Sequence, residues 1–204
     1  MEPQKASTFF DNAQPSLDSP LFAAYLPKNA NGSYDFGAFD SSRFTGSLVY
    51  TDVDDTNGFW EYPSTSFIVS TADGSLSDSM NNFTGITDTG TTLILMADVA
   101  VNAYYDQVSG ATYSEGYGGY VFDCSTSLPD LSVQIGDEYA TVPGSFLNFA
   151  PVSQDGPCFG GIQSVGNGTM NIYGGVFLNA FYGVFDDSGA TPSFGYAPST
   201  GPTS

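Results

Sequence analysis

The stretch Phe83-Thr-Gly-Ile-Thr-Asp-Thr-Gly-Thr-Thr-Leu-Ile-Leu-Met96 is the part of the chain that decides its fold. An apolar-flanked strand runs into the corner Asp88-Thr89-Gly90, and a second apolar run leaves it at residues 93–96. A carboxylate at such a corner is half buried, so neighbouring N–H groups and hydroxyls can fix its orientation. Gly90 lets the backbone come close without a side chain in the way. The hydroxyl donors available around the carboxylate are Thr89, Thr91 and Thr92.

The composition excludes several classes of function. The chain has 204 residues, enough for one sizeable core or two small ones. Its 22 acidic and 3 basic residues give a net charge of -19 at pH 7, so we expect no nucleic acid and no membrane as partner. There is no histidine, which rules out Ser-His-Asp and Cys-His catalysis and the histidine-containing zinc sites. A Ser-Lys or Schiff-base mechanism would depend on Lys5 or Lys28, both in polar, loop-like settings.

The sequence predicts neither a metal nor a cofactor. Residues 52–58 superficially resemble a calcium loop, but their glycine is displaced by one position. Pro63 stands where the closing glutamate should be. We interpret the segment as a solvated turn.

The expected fold class is mostly β, with a few short helices, because turn-forming residues and aromatics are frequent and helical periodicity is scarce. Helices are predicted over residues 8–17, disturbed by Pro15, over residues 97–108 and over residues 176–180. A strand is predicted over residues 20–26. Residues 34–40 and 43–51 are expected to form a hairpin. Residues 59–71 alternate like a strand, and Pro63 indicates an edge or a bulge there.

Cysteines and glycosylation signals point to a secretory route. Only Cys124 and Cys158 are present, and an oxidised pair closing that loop would stabilise the fold by about 3–4 kcal/mol. Three sequons, at Asn31, Asn82 and Asn167, fall in polar or glycine-rich stretches. No signal peptide follows Met1, and no apolar run is long enough to span a membrane. If the protein is secreted, we therefore expect its leader to be absent from this chain.

Asp-Thr-Gly alone is most simply an ordinary turn capped by Asp, and only its context gives it meaning. Gly85-Ile-Thr-Asp-Thr-Gly-Thr-Thr-Leu93 resembles the second active-site motif of fungal pepsin-like aspartic proteases, the endothiapepsin and penicillopepsin group. The resemblance covers nearly the whole chain. Further matching segments, in family order, are Thr8-Phe-Phe-Asp11, Leu17-Asp-Ser-Pro-Leu-Phe22, Tyr34-Asp-Phe-Gly37, Phe44-Thr-Gly-Ser47, Gly58-Phe-Trp60, Gly118-Gly-Tyr-Val-Phe-Asp-Cys124, Val142-Pro-Gly144, Cys158-Phe-Gly-Gly-Ile-Gln163, Asn171-Ile-Tyr-Gly174 and Phe194-Gly-Tyr-Ala197.

The resemblance implies the C-terminal lobe of the bilobal acid protease fold. Residues 1–19 would form the segment that joins the lobes, residues 20–197 the lobe itself, and residues 198–204 a disordered tail. Cys124 and Cys158 would be disulfide-bonded. Asp88 would be one of two catalytic aspartates that share a proton and hold a water, one per lobe.

The resemblance also assigns roles around Asp88. Catalytic support would come from Thr89, Gly90, Thr91 and Thr92. Thr89 would interlock with its counterpart in the other lobe, and Thr91 would bond the carboxylate or the substrate backbone. The positions expected to line substrate subsites are Leu95, Met170 and Ile172, for which plain core packing is an equal alternative.

Two departures from the family pattern matter. The chain has one Asp-Thr-Gly and no Asp-Ser-Gly, so the first catalytic motif and the substrate-covering flap are missing. Gly175 stands where the family usually has an acidic residue near the dyad. The loss of that charge predicts a dyad that ionises more easily, or else relaxed selection on catalysis.

Three functions remain open on the sequence. In the preferred one, the chain is the C-terminal lobe of an aspartic endopeptidase, inactive alone, which works with an N-terminal lobe on a polypeptide. In the second, two copies pair as in retroviral proteases and each gives one Asp88, although the missing flap argues against it. In the third, a stand-alone lobe binds a small-molecule ligand or performs acid–base chemistry on it, which Gly175 and a Met1 close to the lobe boundary favour.

Overall fold

Short strands separated by glycine and proline turns make up most of the molecule. The fold is taken from a computed structural model, which describes residues 7–201. Within that range the strands are β1 (Leu21–Tyr25), β2 (Ser33–Phe36), β3 (Val49–Asp52), β4 (Tyr62–Pro63), β5 (Ser66–Thr71), β6 (Gly74–Ser79), β7 (Thr84–Thr87), β8 (Ile94–Met96) and β9 (Thr112–Ser114). The second half contributes β10 (Gly119–Phe122), β11 (Asp130–Ile135), β12 (Glu138–Val142), β13 (Asn148–Pro151), β14 (Cys158–Gly160), β15 (Ile162–Ser164), β16 (Met170–Tyr173), β17 (Phe181–Asp186) and β18 (Ser193–Pro198). The predicted mostly-β class is confirmed.

The helices are short. They are α1 (Phe9–Ala13), α2 (Asp98–Tyr105), α3 (Gly144–Leu147) and α4 (Gly175–Ala180), with 3₁₀ turns at Gln14–Ser16 and Ser41–Arg43. Pro15 lies in the 3₁₀ turn that ends the first helix, as predicted. In α2 the predicted apolar face is buried, through Val101, Tyr104 and Tyr105. The sequence did not predict α3.

The strands form four sheets within residues 7–201. A five-stranded sheet has the order β2-β1-β17-β18-β3, and a second five-stranded sheet, which we call the Asp88 sheet because Asp88 follows its strand β7, has the order β15-β8-β16-β7-β4. Two four-stranded sheets, β13-β14-β10-β9 and β12-β11-β5-β6, complete the set. Pro63 lies in the edge strand β4, where a missing N–H costs no ladder hydrogen bond, so the predicted edge position is confirmed.

The predicted hairpin of residues 34–40 and 43–51 is wrong. β2 pairs with β1, whereas β3 pairs with β18, so the two strands lie at opposite edges of one sheet. The intervening chain turns away at Gly37, whose φ is 82°, and at the 3₁₀ turn Ser41–Arg43. These turns carry it to the far edge and prevent direct pairing.

The largest core cluster joins the Asp88 sheet to α2, α4 and the neighbouring sheets. Its largest fully buried side chains are aromatic: Tyr62, Phe67, Tyr104, Tyr173, Phe177 and Phe194 are among them. Burial of each such side chain contributes about 1.5–3 kcal/mol. Two of these side chains, Tyr62 and Tyr173, lie on the strands that flank β7, which leads to Asp88.

The end of the chain is ordered further than expected. Pro198 belongs to β18, and Ser199 makes a β-bridge with Phe44. The boundary predicted at residue 197 is therefore too early, and residues 202–204, like residues 1–6 of the predicted interlobe segment, lie outside the described residues. In the part of the chain that is described, no helix has the length and apolarity to cross a bilayer.

The predicted disulfide is confirmed. Cys124, which is exposed, bonds to Cys158, which is buried at the start of β14, with 4.9 Å between their Cα atoms. The bond closes a loop of 34 residues that contains three strands and α3. It therefore fixes the sheet of β10 and β14 to the loop that follows β10.

We predict that the double substitution Cys124→Ala and Cys158→Ala lowers the free energy of unfolding by about 3–4 kcal/mol, since the unfolded chain regains the entropy of the open loop. Urea denaturation of the oxidised wild-type chain and of the variant measures the difference. The reduced wild-type chain is the control and should match the variant. Equal midpoints for the oxidised chain and the variant would contradict the prediction.

Candidate active site

Asp88 is held by strand pairing on both sides of its strand. β7 pairs with β16 in parallel and with β4 in antiparallel fashion. The backbone N–H of Asp88 itself donates to the carbonyl of Tyr173 at 3.1 Å. The ladder thus extends to the aspartate, and its Cα cannot move without breaking a sheet hydrogen bond.

The loop after Asp88 passes over the end of β16, which lies between β7 and β8. Three successive N–H groups after β16 donate hydrogen bonds to carbonyls of this loop. The bonds are Gly174 N–H to Leu93 O at 3.1 Å, Gly175 N–H to Thr91 O at 2.7 Å and Val176 N–H to Thr92 O at 2.9 Å. A Cβ on Gly174 would lie within 2.4 Å of two of these carbonyl oxygens, so only glycine fits.

The carboxylate of Asp88 is oriented by two donors. Oδ1 accepts from the N–H of Gly90 at 2.9 Å, and Oδ2 accepts from the hydroxyl of Thr91 at 2.6 Å. The side chain is half-buried. Its orientation is therefore fixed, while both oxygens keep lone pairs for a further donor.

The other two threonines occupy different places. Thr89 is half-buried and lies beside Asp88 on the wall of the cavity described below. Thr92 is exposed, and its carbonyl accepts the hydrogen bond from the N–H of Val176. Among the described hydrogen bonds, neither hydroxyl reaches the carboxylate, so Thr91 alone of the three predicted hydroxyl donors orients it.

Behind the aspartate, two tyrosine rings enclose its strand. Tyr62 and Tyr173 stack at 6.4 Å with Gly85 against them, and a Cβ on Gly85 would meet Tyr173 Cε2 at 2.8 Å. The hydroxyl of Tyr62 shares a hydrogen bond of 2.7 Å with Thr87 Oγ1, and that of Tyr173 one of 2.5 Å with Ser64 Oγ. Burial raises the pKa of both phenols. The sequence analysis did not predict this tyrosine pair. The available signal was Gly85 in the quoted motif, because a glycine inside a strand indicates that another group packs closely against the backbone.

The three predicted subsite residues lie on one face of the Asp88 sheet. Leu95 pairs with Ile172, which pairs in turn with Ile86, and Met170 pairs with Thr84. Leu95, Met170 and Ile172 are half-buried, whereas their strand neighbours Ile94, Met96, Asn171 and Tyr173 are buried. They therefore form a partly open apolar row and lie outside the fully buried core.

A cavity of about 560 Å³ opens beside Asp88, and we call it the aromatic hollow. Its aromatic walls are Phe10, Phe22, Phe59, Trp60 and Phe185. Its carboxylates are Asp11, Asp55, Asp88 and Asp187. The described part of the predicted interlobe segment forms one wall, because Phe10 packs on Phe22 at 5.1 Å and Gln14 Nε2 donates to Asp187 at 2.7 Å.

Gly175 lies at the first position of α4, with its N–H on the carbonyl of Thr91. A Cβ there would lie 3.2 Å from Thr92 O and 3.7 Å from Thr91 O. A side chain at this position would begin beside the loop that carries Thr91, the residue that orients Asp88. The effect of its absence on the pH dependence of the dyad stays a prediction.

Residues 1–198 match the family model of the eukaryotic aspartyl protease. The chain belongs to the eukaryotic aspartyl protease family. It is 52% identical over 197 residues to aspergillopepsin-1 of Aspergillus pseudoglaucus and 48% identical over 198 residues to penicillopepsin-1 of Penicillium janthinellum. Each alignment covers 97% of this chain, but only 48% of that aspergillopepsin and 59% of that penicillopepsin.

A solved structure of this aspartyl protease family has the same fold. The aspartic proteinase of Irpex lacteus superposes with a TM-score of 0.77 at 25% identity, over 98% of this chain and 64% of that one. The resemblance inferred from the sequence, and the pepsin-like fold expected from it, are confirmed. The chain thus spans about half the length of the aspergillopepsin, in agreement with a single lobe.

We predict that Gly85→Ala destabilises the aspartyl protease chain by about 1–3 kcal/mol, because its Cβ would force the two tyrosine rings off the strand that carries Asp88. Gly116→Ala is the matched control, since its Cβ would meet its nearest neighbour, Ser114 Oγ, at 3.9 Å. Urea denaturation of both variants measures the difference. Equal loss in the two variants would show that the space around Gly85 is not the cause.

We also predict that stability falls as the pH rises above about 10. The pKa values of Tyr62 and Tyr173 are raised in the folded chain, so their contribution is complete below the pKa of the unfolded chain and is lost as the pH rises towards the folded value. Each group adds a slope of up to about 1.4 kcal/mol per pH unit. Urea denaturation from pH 8 upwards should give a smaller slope for Tyr62→Phe than for the wild type. Parallel curves would contradict this.

Proposed function

We propose that this chain is the C-terminal lobe of an aspartic endopeptidase and that Asp88 is one of its two catalytic carboxylates. One observation carries the proposal: the carboxylate at the end of β7 is oriented by Gly90 and Thr91 and lies on the wall of an open cavity. An aspartate that serves only as a turn cap has no need of a second donor or of a cavity. Membership of the aspartyl protease family supports the same role.

The chemistry requires a second carboxylate. One ionised aspartate takes a proton from the water as its oxygen attacks the scissile carbonyl carbon, and a protonated aspartate donates to the carbonyl oxygen. The tetrahedral intermediate then collapses. The first aspartate passes the proton that it took from the water to the amine nitrogen, the C–N bond breaks, and the second aspartate recovers its proton from the hydroxyl on the former carbonyl carbon. Asp88 can hold or release one proton at its carboxylate, so it can supply one of these roles at a time. We therefore propose that the chain is inactive alone.

The proposed partner is an N-terminal lobe that brings the other aspartate. Exposed apolar surface supports this, since Phe59, on the wall of the cavity that contains Asp88, is 52% exposed, and Phe9, next to the cavity residues Thr8 and Phe10 in the chain, is 73% exposed. Exposed patches of this kind mark interaction surfaces. The alignments point the same way, because this chain accounts for 48% of the length of the aspergillopepsin.

The remaining assignments extend this proposal. The partly open row of Leu95, Met170 and Ile172 would contact side chains of a polypeptide substrate. Glycans would be attached at Asn31, Asn82 and Asn167, all exposed, and Asn82 lies in a turn with φ of 63°. A secreted protein would carry these modifications together with the disulfide.

We predict that co-expression of this chain with the amino-terminal half of the Aspergillus pseudoglaucus aspergillopepsin gives proteolysis in acid. Asp88→Asn should lower that activity by about 10²–10⁴-fold, since an amide cannot accept the proton. Hydrolysis of an unfolded protein substrate at acid pH measures it. The matched control is Asp137→Asn, an exposed carboxylate in the turn after β11.

Two outcomes would overturn the proposal. Full activity of Asp88→Asn beside an active wild type would remove Asp88 from the mechanism. Proteolysis by the chain alone would contradict the proposal that an N-terminal lobe must supply the second aspartate. If that activity rises with the square of the protein concentration, two copies of the chain pair. If sedimentation shows that the active species is a monomer, Asp88 acts without a second catalytic aspartate.

A further inference from the structure

The walls of the aromatic hollow are suited to the stem and the charge of a cationic side chain. Phe22 stacks on Phe185 at 4.5 Å and on Phe36 at 5.8 Å. Phe10 meets Phe22 edge-on at 5.1 Å, and Trp60 lies tilted at 5.8 Å from Phe185. Phe59 adds an exposed ring beside them. Aromatic faces attract Lys, Arg and ligand ammonium groups, and Trp does so most strongly. Aromatic rings of this kind also pack against the aliphatic stem of a long basic side chain.

Carboxylates line the same cavity, and no basic residue does so among the described residues. Asp187 Oδ2 accepts from Gln14, and Asp11 Oδ2 accepts from the N–H of Thr8. The carboxylate of Asp55 accepts no hydrogen bond from residues 7–201. Asp88 completes the set beside the proposed catalytic position. The charge around the hollow is therefore uncompensated within the described chain.

The basic residues that the structure describes are engaged elsewhere. Lys28 Nζ donates to the carbonyls of Ser145 at 3.2 Å and Asn148 at 2.8 Å. Arg43 pairs with Asp40 at 3.3 Å and lies over the ring of Tyr25. Lys5, the third basic residue, lies outside the described residues. A cation for the hollow must come from Lys5 or from another molecule.

We propose that the aromatic hollow receives a basic side chain of the partner lobe, whose stem packs on Phe59 and Trp60 and whose charge lies among Asp11, Asp55 and Asp187. The occupant is chosen by charge complementarity, because an apolar side chain alone would leave these carboxylates without a counter-charge. The identity of the partner rests on the proposed function. The preference of the hollow for an organic cation is a property of this chain alone.

The test uses a small probe and a built-in reporter. Trp60 is the only tryptophan of the chain, so its fluorescence reports directly on the hollow. The probe is phenethylammonium, compared with neutral 2-phenylethanol and anionic 3-phenylpropanoate in buffer of physiological ionic strength. We expect a saturable change with the ammonium, binding about tenfold weaker with the alcohol, and none with the carboxylate. Equal responses to all three probes, or no saturation, would overturn the proposal.

Paired variants separate the site from general attraction by a chain of net charge -19. The double variant Asp55→Asn with Asp187→Asn should weaken ammonium binding about tenfold. The double variant Asp106→Asn with Asp137→Asn removes the same charge from exposed positions away from the hollow, and it should change binding less than about twofold. Equal weakening in the two pairs would show that the net charge alone attracts the probe. Circular dichroism of each variant checks the fold.

A last comparison decides where the natural cation comes from. Lys5→Gln should leave phenethylammonium binding unchanged if the basic side chain belongs to the partner. Tighter binding in this variant would mean that Lys5 competes for the hollow, which overturns the assignment to the partner. These measurements need no proteolysis, so a failure of the endopeptidase proposal and a failure of cation binding are distinguishable.

Discussion

The position of β16 between β7 and β8 is the constraint on which the site depends. Because these two strands are not neighbours, the segment that joins them must pass over the end of β16, where the next backbone N–H groups meet it. Gly174, Gly175 and Val176 hold this segment through hydrogen bonds to its carbonyls. The turn that presents Asp88 is therefore fixed by backbone atoms, and its rigidity does not depend on the side chains that a substrate would contact.

That constraint places the carboxylate and leaves its chemistry incomplete. Gly90 and Thr91 donate to Asp88 and fix the direction of its carboxylate. A dyad works because a second carboxylate nearby makes double ionisation costly, so that the pair keeps one proton between them. Within residues 7–201 no group of three or more acidic side chains converges closely enough to hold a metal ion. The sequence contains one Asp-Thr-Gly, at residues 88–90. In the proposed function, the hydrogen bonds of this chain orient Asp88, and the second carboxylate must come from a partner.

What the sequence could predict is local. The Asp-Thr-Gly corner, the face of α2 and the edge position of Pro63 follow from neighbouring residues, and the family pattern supplied the disulfide. The hairpin failed because β3 finds its partner in β18, at the far end of the chain, which no short window contains. The residues alone could not separate Thr91 from Thr92, since the turn geometry decides which hydroxyl points at the carboxylate. Only the family resemblance singled out Thr91.

The tyrosines behind the site and the aromatic hollow beside it differ in a way that bears on function. Tyr62 and Tyr173 are fully buried and hydrogen-bonded, so they stabilise the strand of Asp88 within this chain alone. Among the rings of the hollow, Phe185 is buried, whereas Phe10, Phe22 and Trp60 are half-buried and Phe59 is exposed. The free energy of burial of these four rings is therefore only partly realised. The chain thus buries the rings behind Asp88 and leaves partly exposed rings beside it. The partner in the proposed function would gain binding energy from that surface.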